Sequence, residues 1–308
     1  MTTILITGAT GTIGRRLVHT LTQAGHRPTV LLHGASTGEA LGTNLHRVNV
    51  TRGDYADARG LRAALDQVDR LFLVSPNQPE QVDHECAVID AAADAAVSRI
   101  VKVSAHGAAP DSPVAFWRWH AAIEDHLQGS GVPSISLRPM FSMANILGHA
   151  ATVRTMDVLV APAVRAPIAM VDPQDVADLA AHFLTADRLP EGTPSVTVSG
   201  PDGATFAEVV ETISTLAGRP VAYHAATDDE TRNYLQPQGT PPFVVNQILA
   251  IFDALEAGAQ ADPVDTTDRT LHRRPTDLQT FLQAHAEVFQ SAVPAEAGAR
   301  TPLTGQLS

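Results

Sequence analysis

Three glycines near the N-terminus have the spacing of a backbone turn that binds phosphate groups. Gly8, Gly11 and Gly14 directly follow the apolar segment Ile4 to Thr7, and the residues after them are patterned as a helix. At this spacing the first glycine permits a tight turn, the second lets the backbone approach a pyrophosphate, and the third lets helix and strand pack closely. Free N–H groups at the start of the helix then meet the anion. The segment predicts a dinucleotide site whose binding residues are Gly8, Thr10, Gly11, Thr12, Ile13 and Gly14.

The end of the second predicted strand indicates which dinucleotide is preferred. Proteins that prefer NAD carry Asp or Glu there, because a carboxylate accepts a hydrogen bond from the ribose and repels a 2′-phosphate. Here the strand ends at His33 and Gly34, and the next carboxylate is Glu39. His33 with Arg15 or Arg16 is the candidate contact for a 2′-phosphate. We therefore expect NADP(H) to be preferred over NAD(H).

Two further strand ends are assigned to the cofactor cleft. Asp54 follows the third predicted strand. Its carboxylate is placed to accept a hydrogen bond from the adenine amino group, to cap the next helix, or to do both. Ser75 and Pro76 end the fourth strand beside the same cleft.

The elements that must position these residues alternate regularly through the first half of the chain. Short apolar segments of strand length alternate with longer amphipathic segments, as βαβ units require. The predicted strands are Ile4 to Thr7, Thr29 to His33, His46 to Asn49, Arg70 to Ser75, Ile100 to Ser104 and Ser134 to Leu137. The predicted helices between them are Gly14 to Ala24, Ala56 to Gln67, Gln78 to Ala96 and Trp117 to Gln128. This order predicts an α/β fold, a Rossmann-like doubly wound parallel sheet.

Beyond Met140 the pattern weakens, which predicts a smaller, mostly helical C-terminal substrate lobe. Asp172 caps a helix that runs to about Ala186, and Thr205 begins a helix with a capping box that ends at Gly218. A strand at Val196 to Ser199 and helices at Val244 to Ala257 and Thr276 to Phe289 complete the predicted elements. Residues 1–145 are the predicted dinucleotide-binding domain, onto which 168–200 pack back. Residues 146–167 and 201–290 form the predicted substrate lobe, and 291–308 a disordered tail.

The overall composition limits the classes of partner. The 308 residues carry a net charge of -12, which opposes binding to nucleic acid or to an anionic membrane. The single cysteine, Cys86, excludes an intramolecular disulfide and is expected to be a buried structural thiol. No segment has the length and apolarity of a signal peptide or a membrane span, so we expect a cytoplasmic protein. We expect no bound metal, because His120, Glu124 and His126 lack the i, i+4 histidine pair of helical zinc sites. Its expected partner is a small-molecule substrate, and a homodimer is the candidate assembly.

Taken together, the motifs resemble the NmrA-like group of atypical short-chain dehydrogenases/reductases, which includes isoflavone-reductase-type and quinone-reductase-type proteins. The resemblance covers nearly the whole chain up to the tail. Besides the glycine turn it is carried by Gly53-Asp54, His120 with Glu124, Leu137-Arg138-Pro139, Val171-Asp172 and Val198-Ser199-Gly200-Pro201. It implies NAD(P) binding, with Ser104 and Pro139 at the cofactor. It also implies a cleft between the lobes lined by Ser104, His106, Trp117, His120, Met140, Phe141 and Asn145.

The resemblance also exposes a departure in the residues for proton transfer. Short-chain dehydrogenases normally use a Tyr and a Lys four residues later, the Lys lowering the phenol pKa. None of the three tyrosines has such a lysine here, and the only lysine, Lys102, lies inside the fifth predicted strand. Phe116 and His120 stand where the Tyr and the Lys are expected. Phe116 cannot donate a proton and is assigned to the substrate pocket, and His120 is the candidate catalytic residue.

Three functions stay open at this point. The leading interpretation is an NADPH-dependent oxidoreductase that reduces an aromatic, quinone-like or enone compound, in keeping with secondary metabolism. Its proton comes from solvent or from His120; alternatively, His120 only contacts the nicotinamide ribose or Glu124. The second interpretation is a regulator that senses the redox state of the dinucleotide and reports it to a protein partner. The third is a protein that binds the cofactor structurally and catalyses a reaction without redox change.

Overall fold

The computed structural model describes residues 2–34, 36–192 and 194–290. The strands are β1 Ile4–Ile6, β2 Thr29–Leu32, β3 Asn49–Arg52, β4 Arg70–Leu73, β5 Arg99–Val103, β6 Ser134–Pro139, β7 Val158–Pro162, β8 Ser195–Val198 and β9 Ala222–Ala226. Seven of them form one parallel sheet in the order β3-β2-β1-β4-β5-β6-β8, and β7 pairs with β9 in a separate parallel sheet. The strand order reverses between β1 and β4, and a crevice for ligands opens at the carboxyl ends of such strands.

Twelve α-helices lie within the described residues. They are α1 Thr12–Gln23, α2 Ala58–Leu65, α3 Gln81–Asp94, α4 Ala115–Gly129, α5 Ala144–Leu147, α6 Ala150–Met156, α7 Pro173–Thr185, α8 Phe206–Ala217, α9 Asp228–Leu235, α10 Pro242–Glu256, α11 Thr266–Leu271 and α12 Leu278–Ala284. Short 3-10 helices span Glu39–Arg47, Gln236–Gln238 and Ala286–Phe289. The predicted tail, residues 291–308, falls outside the described residues.

Helices cover both faces of the large sheet. On one face α1 and α7 pack with buried residues of β1, β2 and β6 into one apolar core, which includes Leu17 and Leu179. On the other face α2, α3 and α4 form a second core, which includes Leu65, Ile89 and Ile123. Burying the sheet on both sides explains why its inner strands β1, β2, β4 and β5 are apolar runs rather than alternating patterns. The predicted doubly wound, Rossmann-like fold is therefore confirmed.

A third apolar core lies in the C-terminal part of the chain. It joins α5, α6, β7, α8, α10 and α12, with Phe206, Phe252 and Phe281 among its buried rings. A mostly helical lobe was predicted here, but the β7-β9 sheet was not. Its strands lie far apart in the sequence, and β9 reads Ala-Tyr-His-Ala-Ala with mostly exposed positions, so neither the apolar content nor the alternation of a strand is present. The proposed division into domains stays a prediction.

Several local predictions can be compared with the backbone. The Asp172 side chain accepts from the Gln174 N–H, the capping box of Thr205 forms, and α8 ends at Gly218 in the left-handed region, with φ 67°. The third strand was predicted too early, because Glu39–Arg47 is a 3-10 helix and the strand begins at Asn49. This edge strand is polar and largely exposed, so only Val48 before it is buried, and the apolar pattern pointed to the wrong residues.

The last predicted helix is interrupted. Instead of one helix over Thr276 to Phe289, α12 ends at Ala284 and a 3-10 turn follows. Cys86 is only half-buried, contrary to the expected buried thiol, and partial desolvation raises its pKa to about 11. Within the described ranges, no helix is long and apolar enough to cross a membrane.

Candidate dinucleotide and substrate site

The glycine turn lies between the carboxyl end of β1 and the start of α1. Gly8 has a φ of +56°, and a Cβ built on it would lie 2.6 Å from Val74 Cγ1. A Cβ on Gly14 would lie 2.1 Å from the carbonyl oxygen of Gly8. Both positions therefore require glycine for the protein's own turn and helix packing.

Gly11 differs from the other two glycines of the turn. A Cβ there would meet only the Gly8 carbonyl oxygen, at 3.2 Å, and would otherwise project into open space. Gly11 is the N-cap residue of α1, has no side chain to cap the helix, and is followed by no acidic residue in the first turn. The first N–H groups of α1, beginning at Thr12, thus face an open and uncapped end. This arrangement fits a pyrophosphate.

The second strand of this cleft ends at an exposed imidazole. The ring of His33 stacks on Tyr55 with centroids 6.1 Å apart, and its Nδ1 lies 3.9 Å from Asp54 Oδ1. Asp54 itself accepts a hydrogen bond from the Ala56 N–H at 2.9 Å. The N-cap of α2 is Asp57 rather than Asp54, so the capping role considered for Asp54 belongs to its neighbour.

Arg52 is a cation at the end of β2 that sequence reasoning missed. Its Nη1 donates to the Gly34 and Ser36 carbonyl oxygens at 2.9 and 3.2 Å, so the guanidinium lies across the end of β2. Arg16, a predicted candidate, instead donates to the Thr12 carbonyl oxygen of its own helix at 2.8 Å. Arg52 was missed because the third strand was predicted to end at Asn49, whereas the strand extends to Arg52, in register with Leu32 of β2.

A cavity of about 490 Å³ opens at the carboxyl ends of β5 and β6 and extends to the C-terminal lobe. Seven of the residues predicted for the cofactor and substrate sites contribute to its walls: Ser104, Trp117, His120, Pro139, Met140, Phe141 and Asn145. The C-terminal lobe supplies walls that sequence reasoning missed, among them His149, Tyr234, Ile251, Phe252 and Gln260. Asn77, two residues after Ser75, also lines it.

Two predicted pocket residues lie elsewhere. His106 bridges β8 and the segment after α10, with Nδ1 3.3 Å from Thr197 Oγ1 and Nε2 3.1 Å from the Ala259 carbonyl oxygen. The ring of Phe116 packs against Trp119 and Phe243, at centroid distances of 5.3 and 6.1 Å. Residues three apart on a helix share a face. On α4 the pair at 117 and 120 therefore faces the cavity, and the pair at 116 and 119 faces α10.

The cavity walls carry no full charge at neutral pH in the part of the chain described. They contain no Asp, Glu, Lys or Arg, and their two histidines are His120 and His149. Burial lowers the pKa of both imidazoles, so both are neutral. The amide oxygen of Gln260 accepts from the Phe141 N–H at 2.6 Å, which fixes the orientation of this side chain.

Ser104 and His120 are the polar groups at the base of the cavity. The Ser104 hydroxyl oxygen is buried and has no hydrogen-bond partner among the described residues, so it is left for a ligand. Nδ1 of His120 lies 3.1 Å from Nζ of Lys102, whose side chain is fully buried. Glu124, considered earlier as a partner of His120, is instead bound by the guanidinium of Arg138.

Known proteins are similar to this chain in sequence and in fold. A sequence model of the NmrA-like family matches residues 1–282. An NAD(P)H azoreductase of Xenophilus azovorans is 32% identical over 289 residues, which cover 94% of this chain and 100% of the azoreductase. A (4-alkanoyl-5-oxo-2,5-dihydrofuran-3-yl)methyl phosphate reductase of Streptomyces griseus is 35% identical over 287 residues, 93% of this chain and 99% of the reductase.

Among solved structures, an NADPH-dependent quinone oxidoreductase of Escherichia coli complexed with NADPH superposes with a TM-score of 0.80 at 23% identity. The superposition covers 92% of this chain and 99% of the quinone oxidoreductase. At this identity the likeness concerns the fold.

Proposed function

Because the chain belongs to the NmrA-like family, we propose that it is an NAD(P)H-dependent oxidoreductase that reduces an uncharged aromatic, quinone-like or enone compound. The single observation that carries the proposal is a cavity whose described walls contain no charged residue, at the same strand edge as the glycine turn. When bound, the reduced nicotinamide supplies a hydride, and the protein supplies binding, orientation and electrostatics.

The glycine turn is the part of the chain that holds the cofactor. Gly11 offers the open approach that a pyrophosphate needs, and the uncapped start of α1 presents its N–H groups to the anion. Ser104 and Pro139, at the ends of β5 and β6, form the wall that the cofactor and the substrate share. Pro76 and Thr10 remain proposed cofactor contacts from their places next to the same edge.

We further propose that NADP(H) is preferred over NAD(H). Neither His33 nor Gly34 offers the carboxylate that would repel a 2′-phosphate. The Arg52 guanidinium lies across this strand end and has donors to offer a phosphate, and the exposed His33 ring is at the same strand end. Arg52 thus replaces Arg16 as the first candidate contact for the phosphate.

The substrate class follows from the chemistry of the walls. Trp117 and Phe141 offer rings against which a planar molecule can pack, while Ser104, Asn145 and Gln260 offer hydrogen bonds that fix its orientation. A phosphorylated compound would bury its negative charge in a cavity whose described walls contain no cation, which is unfavourable. The proposed substrate is therefore uncharged, like an azo compound, and not a phosphate ester.

Oxidation of NADPH, followed optically, tests the proposal against a panel of uncharged quinones, azo compounds and enones. The matched comparison is an enone with and without a phosphate ester. We expect turnover with the uncharged member and at least a tenfold lower kcat/KM with the phosphorylated one. Equal or faster turnover of the phosphorylated enone would overturn the substrate class.

The alternative of a redox sensor makes the opposite prediction. A sensor would bind NADPH tightly and leave it unoxidised with every compound of the panel, and it would capture a protein partner in only one redox state of the cofactor. Tight binding without turnover would therefore overturn the reductase proposal. A homodimer stays a proposal that sedimentation can examine in the same preparations.

A further inference from the structure

The only lysine of the chain has no contact with solvent. The Lys102 side chain extends from the interior of β5, and its Nζ donates to the Val103 carbonyl oxygen at 2.8 Å. The same nitrogen forms an ion pair with Glu85 Oε2 at 2.9 Å and lies 3.1 Å from His120 Nδ1. Two full charges are thus enclosed behind the cavity wall, where an unpaired charge would be costly.

The carboxylate that compensates this lysine is itself held in place. Glu85, on α3, is buried, and its Oε1 accepts hydrogen bonds from Ser75 Oγ at 2.7 Å and from Gln81 Nε2 at 3.3 Å. Ser75, a predicted cofactor contact, lies two residues after the end of β4, and its hydrogen bond also supports Glu85. Elements α3, β4, β5 and α4 therefore meet in one polar cluster, which consists of Ser75, Glu85, Lys102 and His120.

The chemistry of the ammonium group determines the protonation of His120. An ammonium has only donors, so the Nδ1 atom that faces it must accept and cannot carry a proton. The proton of a neutral imidazole then lies on Nε2. This atom makes no hydrogen bond with any described residue, and the His120 side chain lines the cavity. Desolvation, together with the neighbouring Lys102, holds the pKa of His120 well below its ordinary value.

We propose that Lys102, anchored by Glu85, is a positioning residue that holds His120 as a neutral Nε2–H donor for the substrate atom that gains electrons. The inference rests on the proposed function. Reduction of a quinone, azo or enone group adds a hydride to one atom and leaves negative charge on another, either an oxygen or a nitrogen. A preoriented N–H group stabilises that charge as it develops, and the resulting anion takes its proton from solvent.

This arrangement differs from an imidazolium acid in its response to pH. An imidazolium would lose activity as pH rises through its pKa, whereas a neutral donor keeps the same protonation through the neutral range. The charged groups around His120 are Lys102 from β5, Glu85 from α3, and the Glu124–Arg138 pair from α4 and β6. His149 and Tyr234 face the cavity from the C-terminal lobe. Of these groups, only Lys102 contacts the imidazole by hydrogen bond within the described residues.

Long-range ¹⁵N–¹H spectra of the imidazoles test the inference on the wild-type protein without any turnover. The signal of His120 is assigned by its loss in His120→Asn. We expect a proton on Nε2 and none on Nδ1, unchanged between pH 6 and 8.5. A proton on Nδ1, or titration near neutrality, would overturn the proposal even if the protein proves to be an active reductase. The expected spectrum without turnover would instead confirm the Nε2–H form of His120 but overturn the proposed function, and with it the role of His120 as a donor to the substrate.

Substitution of Lys102 tests the consequence for catalysis. In Lys102→Met the buried Glu85 carboxylate loses its cation and favours a charged imidazole, so the pKa of His120 should rise. We expect kcat to fall at least tenfold at pH 8 and to recover partly towards pH 6, with NADPH affinity within threefold of wild type. The double variant Glu85→Gln with Lys102→Met removes both charges, and its kcat should be low and independent of pH.

A second buried cation of the same strand provides the matched control. Arg99 bonds the Phe183, Ala186 and Asp187 carbonyl oxygens at the end of α7, far along β5 from the cavity. Arg99→Met should lower the melting temperature and leave the pH profile flat. If Lys102→Met also kept a flat profile with kcat within twofold of wild type, the positioning role would be wrong. If the lysine variants fail to fold, the spectra of the wild-type protein still test whether His120 carries its proton on Nε2.

Discussion

The two ends of the ligand cleft are built in different ways. At the glycine turn the binding groups are backbone atoms, and the space that Gly11 leaves is open to solvent. At the other end the groups are side chains, and Lys102 and Glu85 are enclosed with their charges paired. An open site of backbone donors suits an anion that must enter and leave, whereas an enclosed, preoriented donor suits a charge that appears only during reaction. Affinity and turnover should therefore respond to different substitutions.

The largest effect is expected at the open end. Gly11→Val places a branched side chain where the pyrophosphate must approach, although within the protein its Cβ would meet only the Gly8 carbonyl oxygen. We expect NADPH affinity to fall at least a thousandfold, measured by fluorescence titration, with a melting temperature within a few degrees of wild type. Gly129→Ala is the control, because a Cβ there meets nothing within 4 Å. Retained affinity in Gly11→Val would mean that the turn does not hold the cofactor.

At the enclosed end the order of effects should reverse. His120→Ala removes the donor at the base of the cavity, so kcat should fall at least a hundredfold, in the range typical of a lost donor to developing charge. NADPH affinity should stay within a few fold, because His120 lies away from the glycine turn. Steady-state rates combined with titration measure both quantities. A parallel loss of rate and affinity would show that His120 positions the cofactor, and the contrast between the two ends would fail.

The same difference decides how much of the site could be predicted from the sequence. The glycine turn is local, and one segment between a strand and a helix displays every residue it needs. The cluster around His120 joins residues 75, 85, 102 and 120, which are neighbours only after α3 and α4 pack on the sheet. From the sequence, Lys102 could be placed only inside the fifth predicted strand, because that position does not indicate which side chains its Nζ contacts.

The fold shows a similar limit. The strands β1, β2, β4, β5 and β6 were predicted from their apolar runs, because a sheet that is buried on both faces requires such strands. The β7-β9 pair could not be found, because β9 is exposed along most of its length and pairs with a strand far away in the sequence. Two walls of the cavity, Tyr234 and Gln260, follow this unpredicted sheet in the chain. The cavity walls that the C-terminal lobe contributes could therefore not be predicted from the sequence.

A smaller effect is expected where the cofactor's ribose meets the end of β2. Arg52→Glu replaces the guanidinium with a carboxylate that repels a 2′-phosphate. We expect the ratio of NADPH to NADH affinity to fall about tenfold, equivalent to about 1.4 kcal/mol. Arg16→Glu is the matched control on α1 and should change the ratio less, because Arg16 already bonds the Thr12 carbonyl oxygen. A larger change of this ratio in Arg16→Glu than in Arg52→Glu would indicate that Arg16, on α1, contacts the phosphate.

The smallest effect is expected next to the cavity but outside its wall. Phe116 stands where related enzymes carry a proton-donating tyrosine, yet its ring packs on Trp119 and Phe243 and leaves the cavity face of α4 to Trp117. Phe116→Leu should keep kcat within about threefold of wild type and cost stability through lost ring packing, whereas Trp117→Leu should raise KM at least tenfold. Kinetics and melting curves of the two variants separate these effects, because a packing residue changes the melting temperature and a wall residue changes KM. A hundredfold loss of kcat in Phe116→Leu would show that the Phe116 ring shapes the cavity, because an apolar side chain cannot transfer a proton.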